Sequence, residues 1–106
     1  MKIVNRGYIL IRPKQPFLQW AKEQEAELFL TEDSEPTVYL IEEDFFEDEQ
    51  VLKSHFKAIF SAELEGVSEN EEAFPEIKWE TFNDWFEAEL GTTVVDCLST
   101  PLVSED

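Results

Sequence analysis

Between Phe45 and Leu64 the apolar residues Val51, Leu52, Phe56, Ile59, Phe60 and Leu64 recur at three- and four-residue steps, which draws one stripe down a helix. Asp44 is the predicted cap of that helix. Glu47, Asp48 and Glu49 suit the positive end of its dipole, and Gly66 is the predicted stop. Two runs of continuous apolar residues, Tyr8 to Ile11 and Thr37 to Ile41, read instead as strands, the first covered on both faces or close to it. Pro13 ends the first strand, and Pro16 suits the first turn of a helix running to about Gln24. Phe17, Trp20 and Ala21 mark that helix's buried side, whereas Lys22, Glu23 and Glu25 are solvated. Leu28, Phe29 and Leu30 fit a helix end or a short edge strand, since three apolar residues cannot establish a period, and read as a packed connection, while Thr31 to Pro36 form a surface turn. A strand, a helix and a strand in this order imply a right-handed crossover and parallel pairing.

In the second half, Val67 to Pro75 is an exposed acidic loop whose end is tacked to the core by Phe74-Pro75. A third helix is predicted from about Thr81 as cap, with Phe82, Trp85, Phe86 and Leu90 on one face and Gly91 as its stop. The β-branched stretch from Thr92 to Leu98 is the final strand, and Pro101 with Ser104-Glu105-Asp106 marks a tail. The predicted fold is α+β: a small three-stranded mixed sheet packed by three helices, in the order strand, helix, strand, helix, helix, strand. Residues 1–100 form one domain, and residues 101–106 a loose acidic tail.

Composition narrows the function classes. A chain of 106 residues, 42% apolar and 13% aromatic, has enough apolar material for one core and too much aromatic content for a disordered segment. Its formal net charge of −17 argues against direct binding of DNA, RNA or an anionic membrane surface, because phosphate binding requires Lys and Arg to replace counterions. Lys2, Arg6, Arg12, Lys14 and Lys22 partly neutralise the first quarter, so the most negative surface is expected around Glu42 to Glu49. The single cysteine, the absence of a long apolar run at the amino terminus and the absence of a membrane-length apolar segment lead to the expectation of a soluble, cytoplasmic protein.

Four stretches carry a likeness to other proteins: Lys14-Gln15-Pro16-Phe17-Leu18-Gln19-Trp20, Val38-Tyr39-Leu40-Ile41, Ile59-Phe60 with Glu63-Leu64, and Phe82-Asn83-Asp84-Trp85-Phe86. Together they resemble a group of small acidic bacterial proteins of unknown function. The resemblance implies the fold and a bacterial origin; every matching position is one already assigned to core or cap, so it supplies no functional residue.

Candidate chemistry is sparse. His55 is the one histidine and reads as partly buried at the edge of the core, while Cys97 reads as a small buried hydrophobe. A catalytic pairing of the two would need strand to meet helix in an activating environment. Glu42, Glu43, Asp44, Glu47, Asp48 and Glu49 lack the alternating acids and turn glycine of a calcium loop, and the chain has no glycine-rich phosphate loop, so no cofactor is expected. No enzyme is predicted: apart from carboxylates, catalytic groups are few. The leading expectation is an acidic interaction protein (adaptor, inhibitor or immunity-type) binding a basic partner through Glu43, Asp44, Phe45, Glu47, Asp48 and Glu49. Neighbouring residues on a helix point about 100° apart, so Phe45 and Phe46 cannot easily share one core pocket, and one becomes a candidate exposed anchor. In the alternative both cap the core and the acids serve solubility. A second class is a cation- or small-ligand-binding module using the cluster from Glu42 to Glu49.

Overall fold

The computed structural model describes residues 1–24 and 35–105. The helix and turn expectations at Glu25, Leu28 to Leu30 and residues 31–34 lie outside them. In chain order the elements are β1 (Lys2–Ile3), β2 (Gly7–Pro13), α1 (Gln15–Glu23), β3 (Thr37–Ile41), α2 (Asp48–Glu65), a 3-10 turn (Glu71–Ala73), α3 (Trp79–Trp85), β4 (Phe86–Gly91) and β5 (Val95–Asp96). The class is α+β, as expected, but the strands form two antiparallel sheets: a three-stranded one in the order β3-β2-β4 and the pair β1-β5.

The parallel pairing expected for the first two predicted strands is therefore incorrect. Chain direction explains why: β2 leaves the sheet at Pro13, and Thr37 re-enters opposite Ile11 while Ile41 exits opposite Gly7. The chain returns at the end it left. An apolar run looks the same in either direction, because the same alternate residues face inward.

The third helix differs too. It starts at Trp79 with Lys78 in the cap position, which leaves Thr81 inside the helix, and it ends at Trp85. Phe86 to Gly91 is a strand paired with β2 from Pro13↔Phe86 to Tyr8↔Gly91. A separation of four residues, as between Phe86 and Leu90, fits both the helical and the strand period. The vacant edge of β2 decided between them. Gly91 ends this strand beneath the Tyr8 ring, where an added Cβ would lie 2.4 Å from the ring. The long final strand from Thr92 to Leu98 is reduced to Val95–Asp96, paired with Lys2–Ile3, and Cys97 is exposed rather than buried. Residues 101–105 are exposed and lie outside the regular elements.

Among the described residues, α1, α2 and α3 share one core with the inner face of the larger sheet. Ile9 and Ile11 from β2 meet Phe17, Trp20 and Ala21 of α1, the stripe Val51, Leu52, Phe56, Ile59, Phe60 and Leu64 of α2, and Phe82 and Phe86. The stripe read from the sequence is the stripe that is buried. Phe60, fully buried, sits 5.5 Å from Phe86 and 5.7 Å from Trp85 between ring centroids, the separations at which tilted and edge-on aromatic pairs attract. Burying one such ring is worth about 1.5–3 kcal/mol. No charged or polar residue is buried among the described residues, and none of their buried side-chain nitrogens or oxygens lacks a hydrogen-bond partner. Trp20, for instance, donates from Nε1 to the carbonyl of Ala73 at 2.9 Å while its ring meets Phe74, which fastens the end of the acidic loop to α1.

The outer face of the sheet corrects the expectation that the first strand is covered on both sides. Tyr8 and Leu10 are half-buried there, whereas Val38 and Leu40 of β3 are exposed. Arg12 reaches Glu89 at 3.6 Å on the same face.

Candidate functional site

The connection from β3 to α2 holds the acidic cluster. Here α2 begins at Asp48, with Glu47 in the cap position and without a side-chain cap bond, so neither Asp44 as cap nor a helix from Phe45 is observed. Residues 42–47 are loop. Gly7 makes room for it: a Cβ there would stand 2.9 Å from the carbonyl oxygens of Glu42 and Gly91 and 3.0 Å from Phe45 Cε1. The close approach holds the loop against the central strand.

That approach sets the two phenylalanines apart. Phe45 is half-buried and packs against the core, whereas Phe46 is fully exposed, at 102% of its reference area. Glu43, Asp44, Glu47, Asp48 and Glu49 are exposed around it. The exposed aromatic of the loop is thus Phe46, and Phe45 is the peg beneath it. Sequence reasoning had picked the pair but named Phe45; only the contact at Gly7 distinguishes them. Glu49 also reaches Lys53 at 3.8 Å, one turn along, and Lys53 Nζ lies 5.3 Å from the centroid of the Trp79 ring.

Glu42 and His55 close the loop onto α2. Nε2 of the half-buried His55 lies 2.9 and 3.0 Å from the two Glu42 oxygens. This hydrogen bond holds the Glu42 carboxyl below its ordinary range. A carboxylate only accepts, so Nε2 is the donor. No hydrogen bond joins His55 to Cys97 among the described residues; Cys97 follows β5, exposed. The second acidic group, Glu69, Glu71 and Glu72, is exposed beside the 3-10 turn, where Asn70 Oδ1 accepts from the Glu72 N–H.

A feature without a sequence signal lies alongside. Tyr39, Leu40 and Ile41 of β3 and His55, Ala58 and Ile59 of α2 line a groove of about 140 Å³. Tyr39 donates from its hydroxyl to Glu63 at 2.5 Å. Burial and the neighbouring Glu63 together push the phenol's pKa well above its usual value. Among the described residues no three of His, Cys, Asp and Glu are gathered where they could hold a metal ion, and no helix is long and apolar enough to cross a membrane. Compared with protein-family models, with curated proteins and with solved structures, the chain matches none.

Proposed function

We propose that this protein is an acidic interaction module, an adaptor, inhibitor or immunity-type protein, that binds a basic protein partner without catalysing a reaction. The carrying observation is Phe46, a large aromatic wholly exposed in a loop, with Glu43, Asp44, Glu47, Asp48 and Glu49 exposed around it. The carboxylates steer a cationic surface toward the loop, and the ring supplies the apolar contact that charge alone does not. A net charge of −17 extends the attraction over the surface and disfavours polyanionic partners. The reading that uses the cluster for cations draws no support from the way the carboxylates are arranged.

Capture from a bacterial lysate at low and high salt, with the wild type, Phe46→Ala and the triple reversal Glu47→Lys, Asp48→Lys, Glu49→Lys, tests this reading. Exposed charges usually matter to folding by less than about 1 kcal/mol each, so the variants should remain folded. A basic partner is expected on the wild type at low salt, weakened at high salt and lost from both variants. A partner held equally well by all three proteins would refute the loop as the binding surface.

A further inference from the structure

We propose that the edge of β3 that is unpaired among the described residues, together with the groove against α2, receives an extended segment of a basic protein as an added antiparallel or parallel strand of the larger sheet. The mode is strand addition, in which backbone hydrogen bonds supply affinity and alternate side chains supply specificity. This deepens the reading of a basic partner and rests on it.

Four observations lead there. First, the order β3-β2-β4 leaves β3 at an edge, with its second side unpaired among the described residues. Second, three successive residues, Tyr39, Leu40 and Ile41, line one groove although neighbours in a strand point to opposite faces. A groove running along the strand's edge meets all three. Third, among the described residues this edge is unguarded. Natural edges carry charges, proline or bulges that deter pairing; Thr37-Val38-Tyr39-Leu40-Ile41 has none of these and pairs with β2 without a break in register, whereas the opposite edge, β4, carries Glu87, Glu89 and Gly91. Fourth, a volume of about 140 Å³ is well below the several hundred Å³ of ordinary small-molecule sites and suits one aliphatic side chain.

Charge selects the occupant. The lining is mostly aliphatic, from Leu40, Ile41, Ala58 and Ile59, but Glu42 sits on His55 next to it and Glu63 sits on Tyr39. A segment whose aliphatic residue is flanked by lysines or arginines two positions to either side answers that pattern, because residues i and i+2 share a face. That face would enter the groove, and the intervening side chains would cover the exposed Val38 and Leu40 of the outer face. A second copy of this chain fits poorly: antiparallel pairing of two β3 strands would bring the acids beyond Ile41, Glu42 to Asp44, toward Glu35 of the other copy, and like charges across a strand pair repel.

The probe is a synthetic nine-residue peptide with a central valine, lysines two positions to either side and valines between them, compared with the same peptide N-methylated at three consecutive central residues. Both have the same charge, but the second lacks donors on both of its edges there. Fluorescence anisotropy should show the unmethylated peptide binding roughly tenfold tighter, the effect of blocking two or so backbone hydrogen bonds. Amide exchange at Thr37 to Ile41 should slow only with the unmethylated peptide. Ala58→Trp, on an exposed helix position, fills the groove and should abolish that difference, while Phe46→Ala should leave it intact. Equal binding of the two peptides, or unchanged exchange along β3, overturns strand addition and leaves the Phe46 loop to its own test. Sedimentation showing a dimer that Ala58→Trp dissociates would make a second copy the occupant and likewise overturn the proposal.

Discussion

Tyr39→Phe removes one oxygen and nothing of the ring, so it isolates the bond that ties the edge strand β3 to α2. The phenol donates to the Glu63 carboxylate from a half-buried position. A hydrogen bond to a charged group contributes about 1.5–3 kcal/mol when well shielded, and partial exposure brings the expected loss to roughly 1 kcal/mol. For a domain of this size that corresponds to a fall in Tm of about 4–8 °C, measured by thermal unfolding with circular dichroism. The pH dependence identifies the bond. Burial and then Glu63 raise the folded-state pKa of Tyr39 above its ordinary value of 10.0, so the unfolded state loses this proton first. Stability from the group is complete below about pH 10 and declines above it, as linkage requires when the folded form holds the proton more tightly. The difference between wild type and Tyr39→Phe should be constant from about pH 6 to 9 and shrink above about pH 10. Glu63→Ala, which removes the acceptor, supplies the other arm of a double-mutant cycle, with a coupling of about 1 kcal/mol expected. Zero coupling, or a difference that stays level through pH 11 or so, would refute the assignment.

Two further outcomes follow from the packing. Gly7→Ala should cost about 1–3 kcal/mol, because the added methyl meets two backbone carbonyls at 2.9 Å, whereas Gly91→Ala should cost less, since the Tyr8 ring it meets can turn aside; denaturant unfolding of the pair checks the order. Cys97 is exposed, so a thiol reagent should label the folded protein fully in native buffer, and protection until denaturant is added would contradict its placement.

Periodicity along the chain was enough to locate α1, α2 and the strands at residues 7–13 and 37–41, because burying an apolar stripe or run is a local demand that the side chains themselves express. It also marked Phe45 and Phe46 as a pair that one pocket could hardly hold. Three decisions lay beyond it. The direction of β3 depends on where the chain re-enters the sheet, and an apolar run carries no arrow. The switch from α3 to β4 at Phe86 depends on the open edge of β2, since Phe86 and Leu90 satisfy both periods until hydrogen-bonding partners arrive. The choice of Phe46 over Phe45 as the exposed ring depends on a glycine more than thirty residues away: the loop packs onto β2 at Gly7, that contact takes Phe45, and its neighbour is left in solvent. Local sequence thus determined which residues seek burial, and tertiary contact decided which of them obtained it, because the core has room only for side chains that the backbone delivers to it.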